Sequence, residues 1–203
     1  REGDTIAGEA TPPGRGGISV IRGSGANASA IVSQLFDREL PSAGEFKLGN
    51  LRGQNRADEI IDQVVVSYYK APHSYTGEDV LELSLHGNPV LVSQALKELY
   101  SAGARPPQAG EFTFRAFING RIDLTQAEAV ADLIAAGSRE SAGRAMQRLE
   151  GSLKNVADDI SQRLLTLLSG YEVELDFAEE HVEVSSRCDR KTAIDVIIQG
   201  LRE

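Results

Sequence analysis

The chain has 203 residues, enough for one large domain or two small ones with a buried core. Apolar residues make up 41% and charged residues 25%, which excludes wholesale disorder, and apolar runs such as Val64–Val66 fall far short of a membrane span. With 21 basic against 30 acidic side chains the formal charge is -9, so bulk attraction to nucleic-acid phosphates is excluded and any RNA contact must be local or made by another component.

The first 120 residues read as short strands mixed with two helices. Strands are predicted over Ile18–Arg22, Glu45–Leu51, Val64–Tyr69 and Val80–His86, each β-branched or alternating and bounded by Gly, Pro, Asn or Asp. The last is the clearest: Leu81, Leu83 and Leu85 share one face, and Glu82, Ser84 and His86 share the other. One helix, with Asn27 as its cap, is predicted to bury Ile31, Val32, Leu35 and Phe36. A second starts at Asn88-Pro89, turns Val90, Leu91, Ala95, Leu96 and Leu99 inward, and stops near Gly103.

Beyond about residue 120 the pattern is helical throughout. Thr125 and Glu128 have capping-box spacing ahead of Val130, Ala131 and Ile134, in a helical stretch over 125–150. Leu153, Val156, Ile160, Leu164, Leu167, Tyr171 and Leu175 recur at steps of three or four, predicting a helix of about 36 Å over 152–175. A further helix spans about Asp189–Leu201. Its apolar period continues to the end of the sequence, and the chain does not begin with Met. It is therefore expected to be part of a longer protein whose helical bundle is incomplete here.

Several segments carry possible chemistry. The run Thr11-Pro12-Pro13-Gly14-Arg15-Gly16-Gly17 precedes a strand and lacks the lysine of a phosphate loop, so it reads as a turn. Glu82 leaves the leucine core on a polar strand face. A carboxylate there can accept parallel N–H bonds from a pterin or guanine edge, although a solvated or Lys/Arg-paired glutamate is the commoner outcome of such spacing. His86 shares that face, but no second histidine lies at ligand spacing, so no metal site is expected. Arg115 and Arg121 flank Phe112, Phe114 and Phe117, a pattern that suits either a ligand wall or plain core. The acidic run from Glu172 to Glu183 has the charge for a cation site, but such a cluster is more often a solvated helix end or a surface for a basic partner. The single cysteine, Cys188, has no plausible base nearby and no possible disulfide partner within the chain. With no charged-then-apolar leader, a reducing cytoplasmic setting is the default.

Three stretches taken together are more specific: Asp4-Thr5-Ile6-Ala7 followed by TPPGRGGISVIR over 11–22; APHSYTGEDVLEL over 71–83 with His86-Gly87; and GEFTFRAFINGRIDLTQAEA over 110–129. In this order, with Glu174-Leu175-Asp176-Phe177 beyond, the chain resembles the MnmE (TrmE) family of tRNA modification GTPases along essentially its whole length. The resemblance implies an α+β domain over 1–120, similar to the folate-binding domain of glycine-cleavage T-protein. This is followed over 121–203 by the first part of an all-α helical domain, incomplete here. It implies a G domain after this region, where GTP, magnesium and potassium would bind. It also implies homodimerisation through the N-terminal domain and a 5-formyl-tetrahydrofolate-type cofactor held by Arg22, Glu82 and Arg121. With the flavoprotein partner MnmG, such proteins add a carboxymethylaminomethyl-type group to C5 of the wobble uridine of certain tRNAs. Arg121 stands where lysine is usual, so a planar fork replaces a point charge. The contrasting expectation is a dimerisation scaffold that binds no ligand and supports a switch G domain.

Overall fold

The computed structural model describes the backbone of residues 3–54, 56–176 and 187–200, and the side chains of these residues except 56–58, 152–158, 174–176, 187–190 and 199–200. The chain divides into two units, Arg1–Ala127 and Glu128–Glu203. The first contains strands β1 (Ile6–Glu9), β2 (Ser19–Ser24), β3 (Phe46–Gly53), β4 (Arg56–Tyr69) and β5 (Val80–Leu85), with helices α1 (Ala28–Ser33), α2 (Pro89–Ser101) and α3 (Glu111–Ile118). Helix α4 (Leu124–Ala135) crosses the boundary, and α5 (Arg139–Leu149), α6 (Ser152–Asp176) and α7 (Arg187–Gly200) follow. The first unit is thus a mixed α/β fold.

The five strands form one antiparallel sheet in the order β1-β2-β5-β4-β3. Alternation in β5 decides its two faces. Leu81, Leu83 and Leu85 are at most 2% exposed and join Ile21, Val64, Val66 and Leu51 under α1 and α2, which contribute Ile31, Val32, Val92, Ala95 and Leu99. Each fully buried aliphatic side chain contributes about 1.5–3 kcal/mol. On the other face, strand register lines up Arg22, Glu82, Ser67 and Phe46 in one row.

The elements differ from the sequence prediction in places. Strand β1 and helix α3 were not anticipated: β1 has only four residues, and the alternating Phe residues of α3 obscured its helical period. Strand β4 begins earlier than predicted, in polar residues of the β3–β4 hairpin. In α2, Asn88 caps as expected by accepting from the Val90 N–H at 3.0 Å, but Val90 itself is 71% exposed because Val92 takes the inward position. Asn27 precedes α1 without a side-chain capping bond.

The segment expected to be helical over 125–150 is broken into α4 and α5. Reciprocal bonds between Asp123 and Gln126 occupy the start of α4, two residues before the predicted Thr125–Glu128 pair. Ser138 then caps α5 and exchanges bonds with Ser141. Helices α6 and α7 pack along one another with Ile197 buried, while Leu164, Leu165 and Leu168 stay more than half exposed. The apolar stripe of α6 is therefore only partly covered. The acidic residues 174–183 and the Cys188 side chain lie outside the described residues. Among the described residues, no helix is long and apolar enough to cross a membrane.

Candidate functional site

Strand register brings Arg22 of β2 directly opposite Glu82 of β5 on the face not covered by α1 and α2. Arg22 Nε lies 2.8 Å and Nη2 2.7 Å from the same carboxylate oxygen, Glu82 Oε1. Among the described residues, Oε2 and Arg22 Nη1 take no protein partner. The two side chains are 26% and 24% exposed, so the pair is partly desolvated yet accessible. The Arg-paired outcome, the commoner one for this spacing, is therefore what the fold realises at Glu82.

Two rings flank the guanidinium. The Arg22 Cζ lies 5.2 Å from the centroid of Tyr75 and 5.7 Å from that of Phe112, both within cation–π range. Tyr75 comes from the loop before β5 and Phe112 from the first turn of α3. A hydrogen bond of 2.9 Å between the Tyr75 and Thr113 hydroxyls joins the two segments.

The Tyr75 loop is pinned along its length. Ala71 N–H and Tyr68 O–H each donate to Asp79 at 2.9 Å, and Ser74 Oγ donates to the Glu78 carbonyl. Asn119 Nδ2 donates to the Thr76 carbonyl at 2.7 Å, and Arg121 Nε to the Ser74 carbonyl at 3.1 Å. Gly77, at φ +77°, allows this close approach: a Cβ there would meet Asn119 Cβ at 3.1 Å and Arg121 Cγ at 3.2 Å. Arg121 thus grips the backbone one residue before the Tyr75 ring. Among the described residues it makes no hydrogen bond or ion pair with Arg22 or Glu82.

Behind the rings lies an ion network that the sequence did not announce. Arg115, 7% exposed, donates to Asp4, Glu78 and Glu111, and Arg105 pairs with Asp4 and Glu111. The Arg105 guanidinium, with further N–H donors, holds the Glu111 carboxyl at about 2, well below the usual carboxylate range. Asp4 is also lowered, chiefly by its bond from Arg105. Burial disfavours the charge on Arg115, but bonds to Glu78, Asp4 and Glu111 outweigh it and raise its pKa. Read from sequence, the stretch around Arg115 suited either a ligand wall or plain core. Arg115 turns inward onto Asp4 and Glu78 from distant segments, a convergence that no local spacing encodes, and onto Glu111 one turn earlier on α3, the one partner that helical i,i+4 spacing supplies.

His86 is fully committed to local structure on its Nδ1 side, which meets Asp62 Oδ1 at 2.7 Å while its backbone N–H donates to Asp62 Oδ2. No group of metal-binding side chains occurs among the described residues. The glycine-rich segment is a turn closed by the Gly16 N–H on the Gly87 carbonyl at 2.9 Å. A cavity of about 620 Å³ lies on the helix-covered side, lined by Glu9, Pro13, Pro89, Leu96, Lys97 and Tyr100 among others. It contains none of Arg22, Glu82 and Arg121.

Comparison with known proteins places these features in context. The family profile described as "GTP-binding protein TrmE N-terminus" matches residues 5–121, and that described as "MnmE helical domain" matches residues 124–203. Curated relatives carrying the name tRNA modification GTPase MnmE include that of Bdellovibrio bacteriovorus, 40% identical over 205 aligned positions that cover 100% of this chain and 43% of the relative. The Paracoccus denitrificans relative is 44% identical, with 98% of this chain and 47% of the relative covered. That of Aquifex aeolicus is 38% identical, with 98% and 44% covered. The chain spans less than half the length of these relatives.

Proposed function

Because the chain belongs to the MnmE (TrmE) family, we propose that it is the folate-binding and dimerising region of a tRNA modification GTPase. In this reading residues 1–120 form a folate domain of the glycine-cleavage T-protein kind, and 121–203 form the first part of a helical domain that leads to a G domain using GTP, magnesium and potassium. The whole protein works in the cytoplasm with the flavoprotein MnmG and adds a carboxymethylaminomethyl-type group to C5 of the wobble uridine.

The observation that supports the reading is the Arg22–Glu82 pair, set on an accessible sheet face between two aromatic rings. Because Arg22 engages only Oε1, Glu82 Oε2 remains an acceptor for an N–H edge of a pterin. Arg22 orients the carboxylate through its two contacts to Oε1. Arg121 Nε holds the Ser74 carbonyl, which leaves its Nη groups as donors to an anionic glutamyl tail. The one-carbon chemistry belongs to the bound 5-formyl-tetrahydrofolate-type cofactor, and these residues bind and orient it.

Calorimetric titration of the 203-residue chain with 5-formyl-tetrahydrofolate, alongside sedimentation, tests the proposal. Binding by a dimer supports it. A dimer that binds no folate selects the second reading, a dimerisation scaffold. That alternative is favoured by one observation: Glu82 already has a protein partner.

A further inference from the structure

Arg115 makes five hydrogen bonds to three segments: the Asp4 carbonyl at 3.0 Å and its Oδ1 at 2.6 Å, both oxygens of Glu78 at 3.2 and 3.0 Å, and Glu111 Oε1 at 3.1 Å. Each segment leads to the candidate site. Glu78 closes the loop that carries Tyr75 and also accepts from Ser24 Oγ at 2.7 Å, two residues after Arg22 in β2. Glu111 and Arg115 lie on α3 on either side of Phe112. Asp4 leads into β1, whose Gly8 pairs with Arg22.

Such a cluster is a poor device for stability alone. Burying charges costs several kcal/mol per ion, and ideal pairing often does no more than offset that cost. What the arrangement supplies is geometry. A planar fork with donors in fixed directions joins three carboxylates at once, which the single ammonium of lysine cannot reproduce.

Resting on the binding reading above, we infer that Arg115 is a positioning residue of the candidate site: it holds Tyr75 and Phe112 against the Arg22 guanidinium without itself meeting the ligand. The rings restrict Arg22 to the orientation in which both donors fall on Glu82 Oε1 and Oε2 is left for a ligand.

The test separates placement from stability. In the 203-residue chain without ligand, the Arg22 Nε–H resonance, identified by its loss in Arg22→Lys, reports the nearby rings and the Glu82 bond. Arg115→Lys is expected to move that resonance toward those of exposed arginines and to weaken 5-formyl-tetrahydrofolate binding at least about tenfold, the factor equal to about 1.4 kcal/mol. Ile31→Val in the α1 core lowers the melting temperature while leaving resonance and affinity unchanged. An unmoved resonance in Arg115→Lys, or a moved one with wild-type affinity, would overturn the inference. If Arg115→Lys does not fold, Glu78→Gln removes one arm of the fork and is read by the same two outcomes. Should the wild-type chain bind no folate, the binding reading falls, and the resonance still decides whether Arg115 places the rings.

Discussion

Arg22 and Glu82 are 60 residues apart in sequence and directly opposed across β2 and β5, with both guanidinium contacts on one carboxylate oxygen. The pair is about one-quarter exposed, so its own contribution to stability is small, below about 1 kcal/mol after screening. Binding is a different matter. Glu82→Ala is expected to weaken 5-formyl-tetrahydrofolate binding by about 1.5–3 kcal/mol, the scale of a lost hydrogen bond to a charged group. Calorimetry on the variant, with a thermal melt to show that the fold persists, makes the comparison. Equal affinity would remove Glu82 from the site.

The ion network predicts a specific acid response. Glu111 falls from an ordinary value of 4.5 to about 2 in the folded chain, so its contribution is fully present above about pH 4.5 and is lost as pH drops toward 2. A shift of this size corresponds to roughly 3 kcal/mol between the ionised and the protonated carboxyl in the folded network, which is not a net gain over an apolar replacement. Asp4, lowered in the same direction, steepens the loss. Denaturant unfolding followed from pH 6 to about pH 2.5 should show stability declining through this window, and Glu111→Gln should flatten the decline. A variant with the same acid slope as the wild type would mean that Glu111 is not titrating as the geometry requires.

How far the sequence anticipates these features depends on their range. The β5 faces were legible because alternation is a property of adjacent residues, and Glu82 was singled out for the same reason. Capping at Asn88 was equally local. The contacts that define the site were not: Arg22 meets Glu82 through strand pairing, Tyr75 reaches Arg22 through a folded loop, and Arg115 gathers Asp4 across 111 positions. Helix α3 was hidden for a different reason, since the Phe112–Phe114 step suggests a two-residue period while the backbone turns at 3.6. Arg121 was placed by family resemblance. Its bond to the Ser74 carbonyl was not anticipated by that resemblance, because lysine has no equivalent of Nε.

Core and surface positions of similar composition should respond very differently. Leu83 is completely buried at the centre of the sheet, and Leu83→Ala is expected to cost about 2–5 kcal/mol through lost burial and the cavity left behind. Val90 in the first turn of α2, predicted from sequence to face inward, is 71% exposed, and Val90→Ala should change stability by less than about 0.5 kcal/mol. Urea unfolding of the two variants distinguishes them. A large loss at Val90 would restore the inward register that the sequence suggested and contradict the α2 packing described here.

Two glycines near the turn before β2 offer a steric contrast. A Cβ on Gly87 would lie 2.5 Å from the Gly16 carbonyl oxygen and 2.9 Å from the Gly16 nitrogen, both backbone atoms that cannot rotate away. Gly87→Ala must therefore push the glycine-rich turn off the end of β5 and strain the Gly16 N–H bond to the Gly87 carbonyl. Overpacking of this kind costs about 1–3 kcal/mol, or about 2–12 °C in melting temperature for a chain of this size. At Gly17 nothing lies within 4 Å of the same added atom. Gly17→Ala should melt within about 2 °C of the wild type, since surface changes away from special contacts are usually within about 0.5 kcal/mol. Matching melting temperatures for the two alanine variants would show that the turn is not seated on Gly87, and the role of Gly87 in closing it would then be lost.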